Sequence, residues 1–444
     1  MKYERSIFFG VLVVKICVLA IFVFTFGPAR LIWSDSNTYL GLGENIFKGN
    51  GFSLEANGSV GSYVPQTVRT PLYPFVLGFF NASLPYGLVF VSFLQAIAAA
   101  FSALLIYRIA RRFLGVGVSV GAALIVSCEP LISIMHLLIM PETFLLMFLL
   151  LFVYYFLEYI EKKNRLDFII SASSLALAMY TKPIAVYLLA LPFLVLVFQK
   201  KGVLKAFSMV GIIMLLLSPW MLRNYRVAGV FDVTTDDVGN LCSWELAGIL
   251  ATRYKIDSSD FTAIYVHPEY ERALEKCTGT FAAFKMFITD YPKDFAVTTA
   301  ISAASMLTNE GYSAFFEPPP DEQVKIHHNY LTPAVLTNSD WKDRVREASR
   351  ELSRGELFAV IAGKVFWAFV AFFAFCGVLM GFLRSRSVAF WVLLLFVLYF
   401  ILATTTTTAY GVGSRLRFPI NPFLIIFAFY GLSQLIQKNV SQQL

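Results

Sequence analysis

The chain has 444 residues, of which 57% are hydrophobic and 15% charged, with a formal net charge of +7 and a mean hydropathy of +0.67. Soluble domains carry about 25% charged residues, so a soluble globular protein is excluded. The basic residues fall in short stretches between apolar runs rather than along one face, which argues against a nucleic-acid partner.

Apolar runs cover 7–27, 86–107, 115–135, 142–157, 167–180, 184–199, 205–221, 358–383, 388–403 and 415–436. They predict an all-α polytopic membrane protein of about ten transmembrane helices. The runs at 142–157 and 167–180 are shorter than a span needs, and are counted because the loops around them require both to cross. The first run reads as a retained span, since no small-x-small site precedes Asp35.

With the N-terminus in the cytoplasm, fourteen basic residues of the short loops lie inside. They are Lys2, Arg5, Arg108, Arg111, Arg112, Lys162, Lys163, Arg165, Lys200, Lys201, Lys205, Arg384, Arg386 and Lys438. Six lie on the opposite side: Arg30, Lys48, Arg69, Lys182, Arg415 and Arg417. This asymmetry sets the orientation and marks the six as residues that need another reason to be there. Lys15, inside the first run, is expected to snorkel to the cytoplasm.

The organisation predicted is a transmembrane core over 1–221 with a first loop at 28–85, an extracytoplasmic α-rich domain over 222–357, and three further spans in 358–444. That domain has amphipathic stretches near 267–290 and 339–356, separated by a turn at Pro318–Pro320, and Ser339 or Asp340 suits a helix cap. The five cysteines carry no CxxC pair and read as small apolar packers rather than a disulfide framework. Asn57 and Asn81 each begin a glycosylation sequon.

The chemistry concentrates at one rim of the membrane. Asp35 follows the first run closely, and Tyr39 lies one helical turn on. Glu142 opens the fourth run, Glu129 closes the third, and His136 lies between them. Ionisable groups at membrane depth are costly and by default face a wet cavity or a partner. The alternative for Glu142 is a helix cap, which a carboxylate makes well. Asp35 and Glu142 are also a candidate pair for a divalent cation. Lys182, Arg223, Arg415 and Arg417 join Arg69 on the same face, and guanidinium forks suit phosphate oxygens. Cations beside acids fit a lipid-linked phosphate donor and an acid acting as base on an acceptor.

Four ordered segments resemble the GT-C superfamily of integral-membrane glycosyltransferases, near its protein O-mannosyltransferase and lipid A aminoarabinose transferase branch. Asp35-Ser-Asn-Thr-Tyr39 with Gly49-Asn-Gly51 is similar to its first-loop acid and turn. Arg69-Thr-Pro-Leu-Tyr73-Pro74 is similar to the start of its second span. Pro219-Trp220-Met-Leu-Arg223-Asn224-Tyr225 is similar to its seventh-span exit, and Arg415-Leu-Arg417-Phe-Pro419 to the start of a late span.

The resemblance implies transfer of a sugar from a polyprenyl-phosphate donor (undecaprenyl or dolichyl) to a lipid-, glycan- or protein-linked acceptor on the extracytoplasmic side. The membrane would be a bacterial inner membrane or the endoplasmic reticulum. It implies Asp35 as the catalytic acid-base residue, with Glu142 at the second acidic position. Arg69, Lys182, Arg223 and Arg415 would hold the donor phosphate, while Tyr39, Tyr73, Arg417, Glu129 and His136 position substrate. Ser36 stands where the family often has a second acid, and Val68 where one branch has a metal-binding Glu, so a metal stays an open alternative. A lipid-sugar flippase, or an O-antigen-type ligase or polymerase, are the rival readings.

Overall fold

The computed structural model describes residues 2–33, 35–56, 59–199, 202–256, 261–312, 352–384, 387–409 and 413–441, with a few isolated ones between 342 and 350. The Pro318–Pro320 turn, the cap at Ser339 or Asp340 and the sequon at Asn57 lie outside the described residues.

The first half runs α1 (Lys2–Phe26), α2 (Ser36–Phe47), a two-stranded hairpin β1 (Ser53–Ala56) and β2 (Ser59–Pro65), then α3 (Leu72–Ser83) and α4 (Gly87–Ala110). There follow α5 (Val116–Cys128), α6 (Pro130–Met135), α7 (Glu142–Lys162), α8 (Arg165–Thr181), α9 (Ala190–Val197, entered through a 3₁₀ turn from Pro183) and α10 (Val203–Ala228). Four helices of the segment after α10 are α11 (Leu246–Tyr254), α12 (Pro268–Lys276), α13 (Thr280–Asp290) and α14 (Pro292–Thr308). The chain closes with α15 (Arg354–Arg384), α16 (Val388–Thr405) and α17 (Asn421–Ser441).

Every predicted apolar run is helical. Among the described residues, 7 helices are long and apolar enough to cross a membrane. Three expected spans form helical stretches that fall short of these, at Val116–Cys128, Arg165–Thr181 and Pro183–Val197. Two of the breaks are made by proline. Ring clash pushes the residue before a proline out of the helical region, and Glu129 and Lys182 are both extended there, with ψ 131 and ψ 134. Each break leaves an ionisable side chain at a helix end beside freed backbone groups.

A freed carbonyl in apolar surroundings must find a donor. Lys15 supplies one. Its ammonium donates to Ser127 O at 2.6 Å and Ser133 Oγ at 2.8 Å, across the α5–α6 break. The side chain is buried rather than snorkelling to the cytoplasm, because its partners sit beside it in the core.

Helices α2 and α3 approach so closely that only glycine fits at their crossing. A Cβ on Gly43 would lie 2.5 Å from Pro74 O, and one on Gly78 would lie 2.3 Å from Gly43 O. This contact sets Asp35, at the start of α2, against the start of α3.

The segment after α10 buries its own apolar cluster, including Leu246, Ile249, Ala283 and Phe287. Its predicted long amphipathic stretch is two helices, interrupted where Cys277 is disulfide-bonded to Cys242. This corrects the expectation of unpaired cysteines. The partners are 35 residues apart, and no motif announces the pair.

Helix α14 packs against α15 and α16, joining this segment to the membrane helices. Glu245 lies at that joint, fully buried, and accepts a hydrogen bond from Ala409 N–H at 2.7 Å. Burial pushes its carboxyl up to about 8, against the smaller opposing effect of that hydrogen bond. The native chain therefore keeps a proton that the unfolded chain loses above its ordinary value of 4.5. The stability tied to this proton is full below that value and is lost as pH rises through about 8, at up to about 1.4 kcal/mol per pH unit. Glu245→Gln keeps the acceptor and discards the titration. Thermal unfolding followed from mildly acidic to mildly alkaline buffer is expected to show a falling midpoint for the parent and a flatter one for the variant.

Candidate active site

The acid end of the site is assembled on the first loop. Ser36 Oγ accepts from Trp33 N–H at 2.8 Å and donates to Ile139 O at 2.8 Å, while Ile139 N–H donates to Leu31 O at 2.8 Å. These bonds pin the start of α2 to the chain entering α7. Tyr39 and Tyr73 meet edge to face at 5.4 Å, and Tyr73 OH donates to Gln95 Oε1 at 2.8 Å. Gln95 in turn donates to His136 O and Leu138 O, each at 2.8 Å. Both tyrosines are buried. Tyr39 acts through its ring face, which carries the Arg69 guanidinium at 5.4 Å.

Four of the predicted residues converge with Arg69 into one ion network. Asp35 Oδ1 lies 3.4 Å from Arg69 and Oδ2 lies 3.0 Å from Arg415. The same Arg415 reaches Glu142 Oε1 through Nε at 2.5 Å, and Lys182 Nζ reaches that oxygen at 2.8 Å. Trp33 lies under the Arg415 guanidinium at 5.8 Å. Glu142, at the first turn of α7, is 1% exposed and makes no side-chain cap to its own helix. It spends its charge on the two cations.

Asp35, Arg69, Lys182 and Arg415 line a cavity of about 500 Å³. Glu142 stands behind Lys182 and Arg415 and does not line it. The remaining walls are mixed. Ile184, Tyr187, Phe284, Tyr399 and Leu402 are apolar, while Asp236, Asn240, Thr280 and Thr406–Thr408 are polar. Asp236 and Asn240 were not among the predicted site residues. Nothing in their local sequence sets them apart from other loop polar groups, whereas Thr406–Thr408 belong to a run of one residue type, Thr404–Thr408.

Other predicted site residues lie elsewhere. Arg223 donates to Gln66 O and to Phe52 O (2.8 Å), and stacks over Trp220 at 4.9 Å. It therefore ties the hairpin loop to α10 and is absent from the cavity wall. Arg417 is fully buried, donates to Met306 O at 2.7 Å and lies over Trp367 at 3.6 Å. Glu129 caps α6 by accepting from Ile132 N–H at 2.7 Å, and also accepts from Tyr312 OH and Trp367 Nε1. His136 is buried beside Phe418, away from the cavity. The Arg415 guanidinium occupies the space between the candidate metal pair, Asp35 and Glu142, and no group of three His, Cys, Asp or Glu side chains converges among the described residues.

The fold and this rim-level ion network define an integral, multi-pass helical membrane protein with a charged cavity at one end of its helices. Residues 68–222 match the family of dolichyl-phosphate-mannose-protein mannosyltransferases. Over 98% of its length the chain superposes on 51% of the apo oligosaccharyltransferase of Archaeoglobus fulgidus, at a TM-score of 0.50 and 12% identity. It thus spans about half the length of that enzyme. A second solved structure, ArnT from Cupriavidus metallidurans bound to undecaprenyl phosphate, aligns over 96% of this chain and 78% of its own, at a TM-score of 0.40 and 12% identity. No curated protein sequence matches the chain. The chain shares the GT-C fold of integral-membrane proteins such as the one from Archaeoglobus fulgidus.

Removing one partner of a buried ion pair leaves the other charge stranded, which costs about 3–5 kcal/mol. A half-exposed pair is worth about 0–1 kcal/mol. Arg415→Gln strands part of the charge on buried Glu142, whereas Arg69→Gln removes a longer contact in which both side chains reach solvent. Thermal unfolding in one detergent is expected to place Arg415→Gln well below the parent and Arg69→Gln close to it.

Proposed function

We propose that the chain is a glycosyltransferase that moves a sugar from a polyprenyl-phosphate donor, undecaprenyl or dolichyl, to a lipid-, glycan- or protein-linked acceptor on the extracytoplasmic face. The observation that carries this reading is the charge of the network. Three cations, Arg69, Lys182 and Arg415, face two carboxylates, Asp35 and Glu142, which leaves the network, not counting the further cavity carboxylate Asp236, with one positive charge beside apolar groups such as Ile184, Phe284 and Leu402. A lipid-linked phosphodiester carries one negative charge and an apolar chain, so it matches both. The matched family's description names a donor of this class, dolichyl-phosphate-mannose.

In this reaction the acceptor oxygen attacks the anomeric carbon and the bond from that carbon to the phosphate oxygen breaks. Asp35 takes the acceptor proton, and the electron pair leaves with the lipid phosphate. A single displacement inverts the anomeric centre. The cations stabilise the charge that grows on the leaving phosphate, the kind of preorganised electrostatics that dominates many enzymes. Donor binding also draws Arg69 and Arg415 toward the phosphate, which frees Asp35 to accept a proton. Glu142, buried behind the cavity, acts as a positioning residue that holds Lys182 and Arg415.

Two observations support the extracytoplasmic side. The basic residues of the short loops favour the other face by fourteen to six. The Cys242–Cys277 disulfide suits an oxidising compartment such as the periplasm or the lumen of the endoplasmic reticulum.

Purified protein incubated with a panel of radiolabelled polyprenyl-phosphate sugars is expected to transfer label from one of them. Asp35→Asn keeps the shape and discards the basicity, so turnover is expected to fall about 10²–10⁴-fold while donor affinity holds or tightens slightly. Near-parental turnover would make Asp35 structural and remove the base from this mechanism.

A further inference from the structure

The cavity has a second polar region outside the ion network. Asp236 and Asn240 both line it, four residues apart across the single turn Asp236–Gly239, a spacing that places two side chains on one helical face. Among the described residues, no Lys, Arg or His nitrogen comes within 4.0 Å of the Asp236 carboxylate. Among the described residues it is therefore the cavity carboxylate that is not spent on a cation.

Its position is tightly set. Thr235 N–H donates to Thr67 O at 3.1 Å, the hydroxyls of Thr67 and Thr235 lie 3.0 Å apart, and Thr234 Oγ1 donates to Val68 O at 2.8 Å. Asp236 N–H then donates to Thr234 Oγ1 at 3.0 Å. Three hydrogen bonds thus tie Thr234 and Thr235 to the segment that runs directly into Arg69, and a fourth holds Asp236 to Thr234. The lone carboxylate keeps a constant place relative to the cationic end.

The lining of this cavity is also rich in acceptors. Thr406, Thr407 and Thr408 donate their hydroxyl protons to Leu402 O, Ala403 O and Thr404 O. Their oxygens then retain only lone pairs for a ligand. With the Asp236 carboxylate and the Asn240 amide, which both accepts and donates, the lining favours a ligand that brings several O–H groups. A phosphate, which is all acceptor, is poorly matched to the carboxylate and the threonine oxygens. A glycosyl ring matches them.

We propose that Asp236 and Asn240 form the hydroxyl-binding subsite of this cavity, holding the ring of a glycosyl group while the ion network holds the phosphate. This rests on the function proposed above. The ring belongs either to the donor lipid or to a glycan acceptor, and the two sources are separable by experiment.

The test compares binding of a polyprenyl-phosphate sugar with binding of bare polyprenyl phosphate, for the parent, Asp236→Asn and Asn240→Ala. Loss of a hydrogen bond to a charged group such as Asp236 lowers affinity about tenfold or more, and loss of a neutral one such as that of Asn240 about two- to tenfold. Each variant is expected to lose about that much for the sugar-bearing lipid and to bind bare polyprenyl phosphate as the parent does. That outcome assigns the donor's sugar. Unchanged affinity for both lipids with a raised KM for the acceptor also supports the subsite and places the acceptor's ring there.

Equal losses for the two lipids would overturn the proposal, since Asp236 would then merely hold the Arg69 segment. So would unchanged lipid affinities together with an unchanged acceptor KM. Asn240 lies outside the threonine clamp, so its variant keeps the test open if the Asp236 variant folds poorly. If the parent binds neither lipid, the proposed function fails by itself. Binding of soluble oligosaccharides, and its dependence on Asp236, then decides the subsite separately.

Discussion

The arrangement depends on one guanidinium. Arg415 touches Asp35, 380 residues earlier in the chain, and Glu142, 273 residues earlier. Two carboxylates at a membrane rim repel each other, and a buried one cannot stay charged without a partner. A cation between them turns that repulsion into the force that closes the site. Arg suits the place better than Lys, because its planar fork presents separate N–H donors to separate carboxylates.

Arg415 in turn depends on what holds Ala409 and residues 413–417. Ala409 has a left-handed φ of 42°, uncommon for a residue with a side chain. Glu245 accepts from its N–H, and Ser302 Oγ donates to its carbonyl at 2.9 Å. A Cβ on Gly248 would lie 2.2 Å from Ala409 Cβ, so helix α11 presses directly on the turn. Beyond Arg415, Arg417 is anchored to Met306 O and Trp367. Two arginines on one short turn thus have opposite tasks. Arg417 is a buried anchor, and Arg415 is the charge that the anchor aims. Glu245, Ser302 and Met306 all come from the segment after α10, so that segment shapes the charged end of the cavity without supplying its cations.

How legible this was depends on the kind of partner each residue has. Membrane helices are written in long apolar runs. Rim charges stand out because burying them is costly, so Asp35, Arg69, Glu142, Lys182 and Arg415 were all recognisable as residues in need of a reason. Their pairing was not recognisable. Lys182 has no acid near it in sequence, yet Glu142, 40 residues away, neutralises it. Arg223 looked like a phosphate ligand for the same reason, but its partners are backbone carbonyls of the first loop, which no residue code reveals. Glu129 was read as a cavity acid and is satisfied by a helix end and two aromatic donors. The disulfide and the lone Asp236 were silent because their significance lies in contacts with distant segments.

The charge count constrains the proposed reaction further. The network begins with one excess positive charge, balanced by a phosphodiester donor. When Asp35 takes the acceptor proton, one of the two carboxylates becomes neutral and the excess rises to two. The leaving lipid phosphate becomes a monoester in the same step, and such a group carries about −1.5 to −2 charges near neutral pH. Base and leaving group therefore change charge together, and the network with its phosphate stays close to balance through the proposed transfer. Asp35 keeps 31% of its side chain exposed, whereas Glu142 keeps 1%. The proton can leave to water from Asp35 and could not readily do so from Glu142. That difference in access, more than any difference in their neighbours, is why the proposed reaction takes Asp35 as base and Glu142 as anchor.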